Sequence, residues 1–448
     1  MRISVVGAGY VGLVTGAFFA AKGHHVVLVD VDGAKVQRVN RGKAPFYEPG
    51  LDDLVQEGLR RNRMRATTDL FEAVADTELT FICVGTPSRA DGSIDLAFVE
   101  NAAKGIGRAL REKHEFHVTV EKSTCVPGTA DTVLGPALEK SSQKRLGLHL
   151  GLAVNPEFLR EGTAVKDAFR PDRVVIGAND PKSMEVVSRL YKGSRCPVVK
   201  TDLRTAEAIK YVSNAFLATK IAYANEMANV ASALGIDVYE VMRGVGMDTR
   251  ISPHFLNAGV GFGGSCFPKD VAALQSVAKG HGAKSKILEA VLESNEEQPL
   301  RAVELAEEVL GSLDGKRVAL LGLAFKPDTD DVRHSRAFPI AEELVRRKAK
   351  VVAFDPKAMA NFREAARTMK LKVEYARSLD AALDGADAAI VQSDWKEFRR
   401  LSPKQLKALM RAPVVVDGRR TFDPEKLLKA GIVYRGIGWK NGANGRGR

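Results

Sequence analysis

Cysteine is scarce in this chain: Cys83, Cys125, Cys196 and Cys266 are the only four among 448 residues. They are widely separated and form no CxxC pair, so the spacing suggests no zinc site and fits a reducing cytosol. No long basic run with interleaved aromatics accompanies the net charge of +12. The charge therefore reads first as a scattered, solvated surface. Nucleic acid, an anionic membrane and acidic small substrates are the other partners such a balance admits. No segment is long and apolar enough to span a bilayer. The nearest is residues 3–21, which carry no charge. That stretch holds four glycines at turn-like spacing and splits into a strand and a helix, unlike a signal peptide. The expectation is a cytoplasmic protein with no metal, no nucleic-acid partner and no membrane partner.

What is present is an alternation of strands and helices. The length allows two or three domains of roughly 100–200 residues each, and 45% apolar residues is ordinary for a globular protein. The runs RISVVG, HHVVLVD, LTFICVG, FHVTVEKST, LGLAVN and RVVIG read as strands of a buried parallel sheet. Residues 203–234 contain neither proline nor glycine and are rich in alanine. They predict one helix of roughly 45 Å, apolar on most faces, joining domains and packing against a second subunit. A second alternating unit starts near Lys316, with KRVALLGLAF, AKVVAFD, ADAAIVQSD and PVVVDG as strands. The predicted fold class is α/β: two Rossmann-like, doubly wound domains joined by a long central helix and a helical dimerisation region. The expected boundaries are 1–200, 201–300 and 301–436, followed by a disordered basic tail over 437–448.

Gly7-Ala8-Gly9-Tyr10-Val11-Gly12 is a GxGxxG after a strand and at the start of a helix. Glycines there let backbone approach a pyrophosphate, and the helix start supplies partial positive charge. Asp30 ends the second strand, 18 residues after Gly12, where a carboxylate accepts from ribose hydroxyls and repels a 2′-phosphate. NAD is favoured over NADP. The second unit lacks this fingerprint.

The segment GFGGSCFPKD, residues 261–270, brings Cys266 to an expected helix start, with Pro268 suited to the first turn. Positive potential at a helix start, and a neighbour such as Lys269, favour thiolate. Asp270 follows one turn later. A small buried cysteine after a flexible loop is the plainer reading of such a residue taken alone.

GAGYVG, FICVGTP, VEKSTCVPGT, NPEFLREGTA, AEAIKYVSNAF, GFGGSCFPKD and LGLAFKPDTDDVRHS occur in that order. With them the chain resembles the UDP-glucose 6-dehydrogenase family, within the wider UDP-glucose/GDP-mannose dehydrogenases, from Met1 to about residue 436. The resemblance implies oxidation of a sugar-nucleotide primary alcohol to a carboxylate with two NAD and no free aldehyde. Cys266 is then the nucleophile that forms a thiohemiacetal and a thioester, with Cys125 a less favoured alternative. Lys210 and Asn214, at i and i+4 on the long helix, stabilise the developing oxyanion and contact the sugar. Asp270 activates water, Thr124 and Glu161 hold it, and Glu157 assists. Phe158, Leu159, Arg160 and Glu161 line the sugar nucleotide, with Phe255, Leu256, Asn257, Ala258, Gly259 and Gly263 as its holding loop. Lys326 meets the diphosphate or sugar. Arg250 reaches the substrate of a neighbouring subunit in a homodimer. Besides the glycine loop with Tyr10 and Val11, the resemblance assigns Lys35, Thr86, Thr124, Glu161, Lys269 and Arg333 to NAD.

Three other readings stand beside this one. GDP-mannose is the second substrate, although that branch usually shows FAFGGSCLPKD where this chain has VGFGGSCFPKD. A plain β-hydroxyacid dehydrogenase would stop after one hydride and needs no cysteine. A non-catalytic NAD-sensing or nucleic-acid-binding protein would rest on the charge alone.

Overall fold

In a computed structural model, residues 1–440 are described. Contacts divide the chain into two compact units, the first ending at Ser213 and the second beginning at Asn214.

The first unit contains β1 (Arg2–Val6), β2 (His25–Val29), β3 (Met64–Thr67), β4 (Leu79–Ile82), β5 (His117–Glu121), β6 (Leu150–Val154), β7 (Val174–Ala178) and β8 (Val198–Thr201). They form one sheet in the order β3-β2-β1-β4-β5-β6-β7-β8. The central strands are buried on both faces, with Ile3, Val5, Leu79, Phe81, Val118 and Val120 on one side and Val6 and Ile82 on the other. One pairing departs from the expected all-parallel sheet: β6 and β7 are antiparallel, through Ala153–Ala178 and Val154–Gly177. Residues 155–173 never cross the sheet. They stay at the carboxyl end of β6, where they form the NPEFLREG segment and the short helix Ala164–Phe169. The chain therefore enters β7 from that same end.

The second unit contains β9 (Arg317–Leu321), β10 (Lys350–Phe354), β11 (Glu374–Tyr375), β12 (Ala388–Val391), β13 (Val414–Asp417) and β14 (Val433–Gly436). Its order is β11-β10-β9-β12-β13-β14, and every pairing is parallel. The expected helix is present over Leu203–Leu234. In the second unit its Ala215, Ala218, Ala222, Ala224 and Ala228 are buried. Phe216, Tyr223 and Val230, spaced by seven, are exposed. The disordered basic tail expected over 437–448 does not hold for its first residues. Ile437 and Trp439 are buried, and Gly438 accepts from the Val238 N–H at 2.9 Å. Residues 441–448 lie outside the described part.

Candidate active site

The glycine loop is built by exclusion. Gly7 has φ +102°, and a Cβ there would stand 2.5 Å from the Cys83 carbonyl oxygen. A Cβ on Gly12 would fall 1.8 Å from the Gly7 oxygen. Gly9, which caps the helix Tyr10–Ala21, faces open space. Two glycines are thus required by the protein's own packing, whereas the third leaves a bare approach to a helix start. Asp30 accepts from the Ala8 N–H at 2.8 Å and the Asp32 N–H at 2.9 Å. It keeps lone pairs for further donors. Lys35 is 4.0 Å from it. Val31, next to Asp30, is 99% exposed, an apolar surface beside the ribose-type carboxylate that the sequence reading missed. This open cradle, acid and apolar shelf fit a dinucleotide.

The second unit repeats part of this device. Asp355 follows β10 as Asp30 follows β2, and it accepts from the Leu323 N–H at 2.7 Å. It also accepts from Ala324, Lys357 and Ala358 N–H groups and from Trp395 Nε1. With five donors that carboxylate is saturated, so the unit carries no second copy of the cofactor site.

Still within the first unit, Lys210 and Glu157 form a buried ion pair, Nζ to Oε1 at 2.9 Å. The other Glu157 oxygen accepts from the Leu159 N–H. Glu157 is thus the fixed counter-ion of Lys210, a firmer role than the assisting one expected of it. Lys210 also lies 5.5 Å from the Phe158 ring, whose face carries the Arg173 guanidinium at 3.8 Å. Thr124 presents its carbonyl to Thr86 Oγ1 at 3.0 Å and to the Tyr211 hydroxyl at 3.3 Å. Arg160 is tied to Asp167 through its guanidinium and its backbone N–H. Cys125 is buried, which leaves the alternative nucleophile without access.

Two buried groups here were given no site role from the sequence. Lys122 donates to the Asn155 carbonyl and Oδ1 at 3.1 and 3.0 Å, and burial lowers its pKa to about 8. Glu207, one turn before Lys210, accepts from the Gly128 and Ala130 N–H groups, and burial raises its pKa to about 7. Both lie within quoted motifs, VEKST and AEAIK. Nothing in their spacing distinguishes a buried charge from a surface one.

In the second unit Cys266 is the N-cap of the helix Phe267–Gly280, with Pro268 in the first turn. Its sulfur is 3.5 Å from Ser265 Oγ. Asp270 is buried; Oδ1 accepts from Lys269 Nζ at 2.7 Å and Oδ2 from Asn214 Nδ2 at 2.6 Å. Three of the expected residues thus meet at one carboxylate. The loop before the thiol is clamped from several sides. Asn295 accepts from the Phe262 N–H at 2.7 Å and donates to its carbonyl at 3.0 Å. Arg419 donates to the Gly261 carbonyl at 2.6 Å. A Cβ on Gly263 would meet the His334 carbonyl at 2.3 Å, and one on Gly264 the Phe325 ring at 2.8 Å. Phe255 and Phe262 each pack edge-on against Phe267.

The rest of the expected holding loop divides. Leu256 and Ala258 are core residues. The Gly259 N–H and carbonyl are already bonded to Asn225 and Gln298. These three hold the loop, and Asn257 and Phe255 remain more open. Arg250 is fully outward, its guanidinium on Asp248. Arg333 pairs with Asp331, and Lys326 lies 5.4 Å from the Phe325 ring. Among the described residues no cluster of three or more His, Cys, Asp or Glu can hold a metal, and no helix is long and apolar enough to cross a membrane.

Three domain models of one family match the chain. The NAD binding domain covers residues 1–194, the central domain 204–297 and the UDP binding domain 319–424. The chain belongs to the UDP-glucose/GDP-mannose dehydrogenase family. As a family member it is an NAD-dependent oxidoreductase. UDP-glucose 6-dehydrogenase AglM of Haloferax volcanii is 46% identical, over 94% of this chain and 97% of that protein. UDP-glucose 6-dehydrogenase TuaD of Bacillus subtilis is 42% identical, over 98% and 93%. A UDP-glucose dehydrogenase structure from Pyrobaculum islandicum matches with a TM-score of 0.89 at 42% identity, covering 98% and 97% of the two chains.

Proposed function

We propose that this family member oxidises UDP-glucose to UDP-glucuronate, four electrons in all, in the cytoplasm and as a homodimer. The observation that carries the reading is the clamped glycine loop that sets Cys266 at a helix start, in a chain similar along its whole length to UDP-glucose 6-dehydrogenases. NAD, when bound, takes up the hydride of each oxidation. Gly9 leaves room for its pyrophosphate in a turn that Gly7 and Gly12 allow to close, Asp30 takes the ribose hydroxyls, and Val31 offers an apolar face for the base.

The remaining chemistry falls to side chains. The Cys266 thiolate adds to the aldehyde carbon, so that the intermediate stays attached and cannot diffuse away. Loss of the second hydride from the thiohemiacetal leaves a thioester. Water then attacks that carbonyl, the C–S bond breaks, and carboxylate and thiol are released. Lys210 and Asn214 stabilise the oxygen that becomes negative in each step. The Glu157 carboxylate is the counter-ion that offsets the cost of burying the Lys210 ammonium. Asp270 orients Asn214 and Lys269 and offers its remaining lone pairs to water; holding a water is also the role given to Thr124 and Glu161.

Arg250, 87% exposed on its side chain, would exchange its Asp248 partner for a substrate across a subunit boundary. The exposed Phe216, Tyr223 and Val230 stripe supports a helix-to-helix dimer. Turnover of UDP-glucose, GDP-mannose and UDP-galactose, followed as NADH absorbance, tests the substrate. UDP-glucose is expected to give by far the highest kcat/KM, and preference for GDP-mannose would overturn the assignment.

A further inference from the structure

The segment FYEPG, residues 46–50, has no part in the chemistry above, yet its glutamate is buried. Gly50 turns the chain at φ +77° and caps the helix Leu51–Arg60. That turn leaves the Glu48 side chain pointing inward, where four donors converge on its two oxygens. Oε2 accepts from the Tyr10 hydroxyl and from the Gly162 N–H at 2.7 Å. Oε1 accepts from the Ala164 N–H at 2.7 Å and, more distantly, the Val165 N–H at 3.4 Å. The Gly162 N–H also reaches the Tyr10 oxygen at 3.2 Å. Phe46 packs on the Tyr10 ring with centroids 4.9 Å apart.

The placement of these donors gives the cluster its meaning. Tyr10 is the first residue of the helix that opens at Gly9. Gly162 follows Glu161 directly, and Ala164 starts the next short helix. One carboxylate therefore joins the start of the cofactor helix to the backbone on the far side of Glu161. We propose that Glu48 is a positioning residue that couples occupancy of the glycine loop to the placement of Glu161. This inference rests on the roles given above to NAD and Glu161.

The chemistry of the donor set supports a carboxylate specifically. Every partner presents a hydrogen, and three of the four are backbone N–H groups that cannot turn round. An amide in place of the carboxylate would set N–H against N–H at one end. Burial, then the hydrogen bond to Glu48, then the charges of Glu48 and Glu161 push the Tyr10 hydroxyl pKa far up. That hydroxyl stays a donor across the working range of pH.

Amide hydrogen exchange over residues 160–166, with NAD alone as the probe, tests the coupling without turnover. The parent is expected to exchange slowly there, and more slowly with NAD. Glu48→Gln should speed exchange of Gly162 and Ala164 by about tenfold, the scale of one lost hydrogen bond, and abolish the NAD response. NAD itself should still bind within a few-fold. Should that variant not fold, Tyr10→Phe keeps both 2.7 Å backbone bonds and cuts only the link to the cofactor helix. It should stay protected and lose the NAD response. A parent-like response to NAD in either folded variant overturns the proposal. In turnover, Glu48→Gln should lower kcat by about 10–100-fold through misplacement of Glu161, with the KM for UDP-glucose little changed. A parent that yields no NADH from UDP-glucose would defeat the functional reading and leave the exchange result standing.

Discussion

Gly9 and Gly12 differ by what surrounds them, and the difference is measurable. A methyl on Gly12 strikes the Gly7 oxygen at 1.8 Å, whereas one on Gly9 meets nothing within 4 Å. Gly12→Ala is therefore expected to lower the melting temperature and NAD affinity together. Gly9→Ala should melt like the parent but bind NAD at least about tenfold more weakly, because only the ligand meets the new methyl. Calorimetric titration of NAD alongside thermal melts checks both. His117 carries a second prediction at this scale. It is fully buried, accepts the Thr80 hydroxyl at Nε2 and directs Nδ1 at the Thr77 carbonyl. Burial lowers its pKa to about 3. The folded protein thus resists a proton that the unfolded chain takes up below about pH 6.5. Stability is fully present above that pH and falls as pH drops toward 3, at most about 1.4 kcal/mol per unit from this group. Urea melts from pH 7 to 5 should show a shallower loss in His117→Gln than in the parent.

Among the elements, the long helix was the most legible: the absence of proline and glycine over 203–234 marked the two ends that the fold shows. Short strands at the sheet edges were not. β3, β8, β11 and β14 have two to four residues, and β8 and β11 bury none of theirs, too little apolar run to stand out. The direction of β7 was also hidden, because RVVIG reads alike in either sense. Only the use of residues 155–173 at one end of the sheet decides it. On the long helix, the exposed stripe carries the dimer prediction. The parent should sediment as a dimer, and Phe216→Glu with Tyr223→Glu should yield a folded monomer of unchanged circular dichroism. A monomeric parent would contradict the assignment of that face.

For the molecule as a whole, each unit holds a separate share of the proposed chemistry. The first has the cofactor cradle and the Lys210–Glu157 pair, and the second has the Cys266 loop with Asp270, Asn214 and Lys269. Motifs pointed to charged residues but said little about their partners. Glu157 looked like a minor helper and is the buried counter-ion of Lys210. Leu256, Ala258 and Gly259 looked like substrate contacts and are spent on the fold. Glu48, Asn295 and Arg419 carried no signal, since a buried acid, amide or guanidinium is indistinguishable in sequence from an exposed one. The central claim is that Cys266 holds the aldehyde between two oxidations. Counting NADH and UDP-glucuronate per UDP-glucose consumed, in the parent and in Cys266→Ala, tests it most directly. The account predicts two NADH and one acid from the parent, and no acid from Cys266→Ala with NAD binding retained. One NADH per substrate in the parent, or undiminished acid formation in Cys266→Ala, would contradict it.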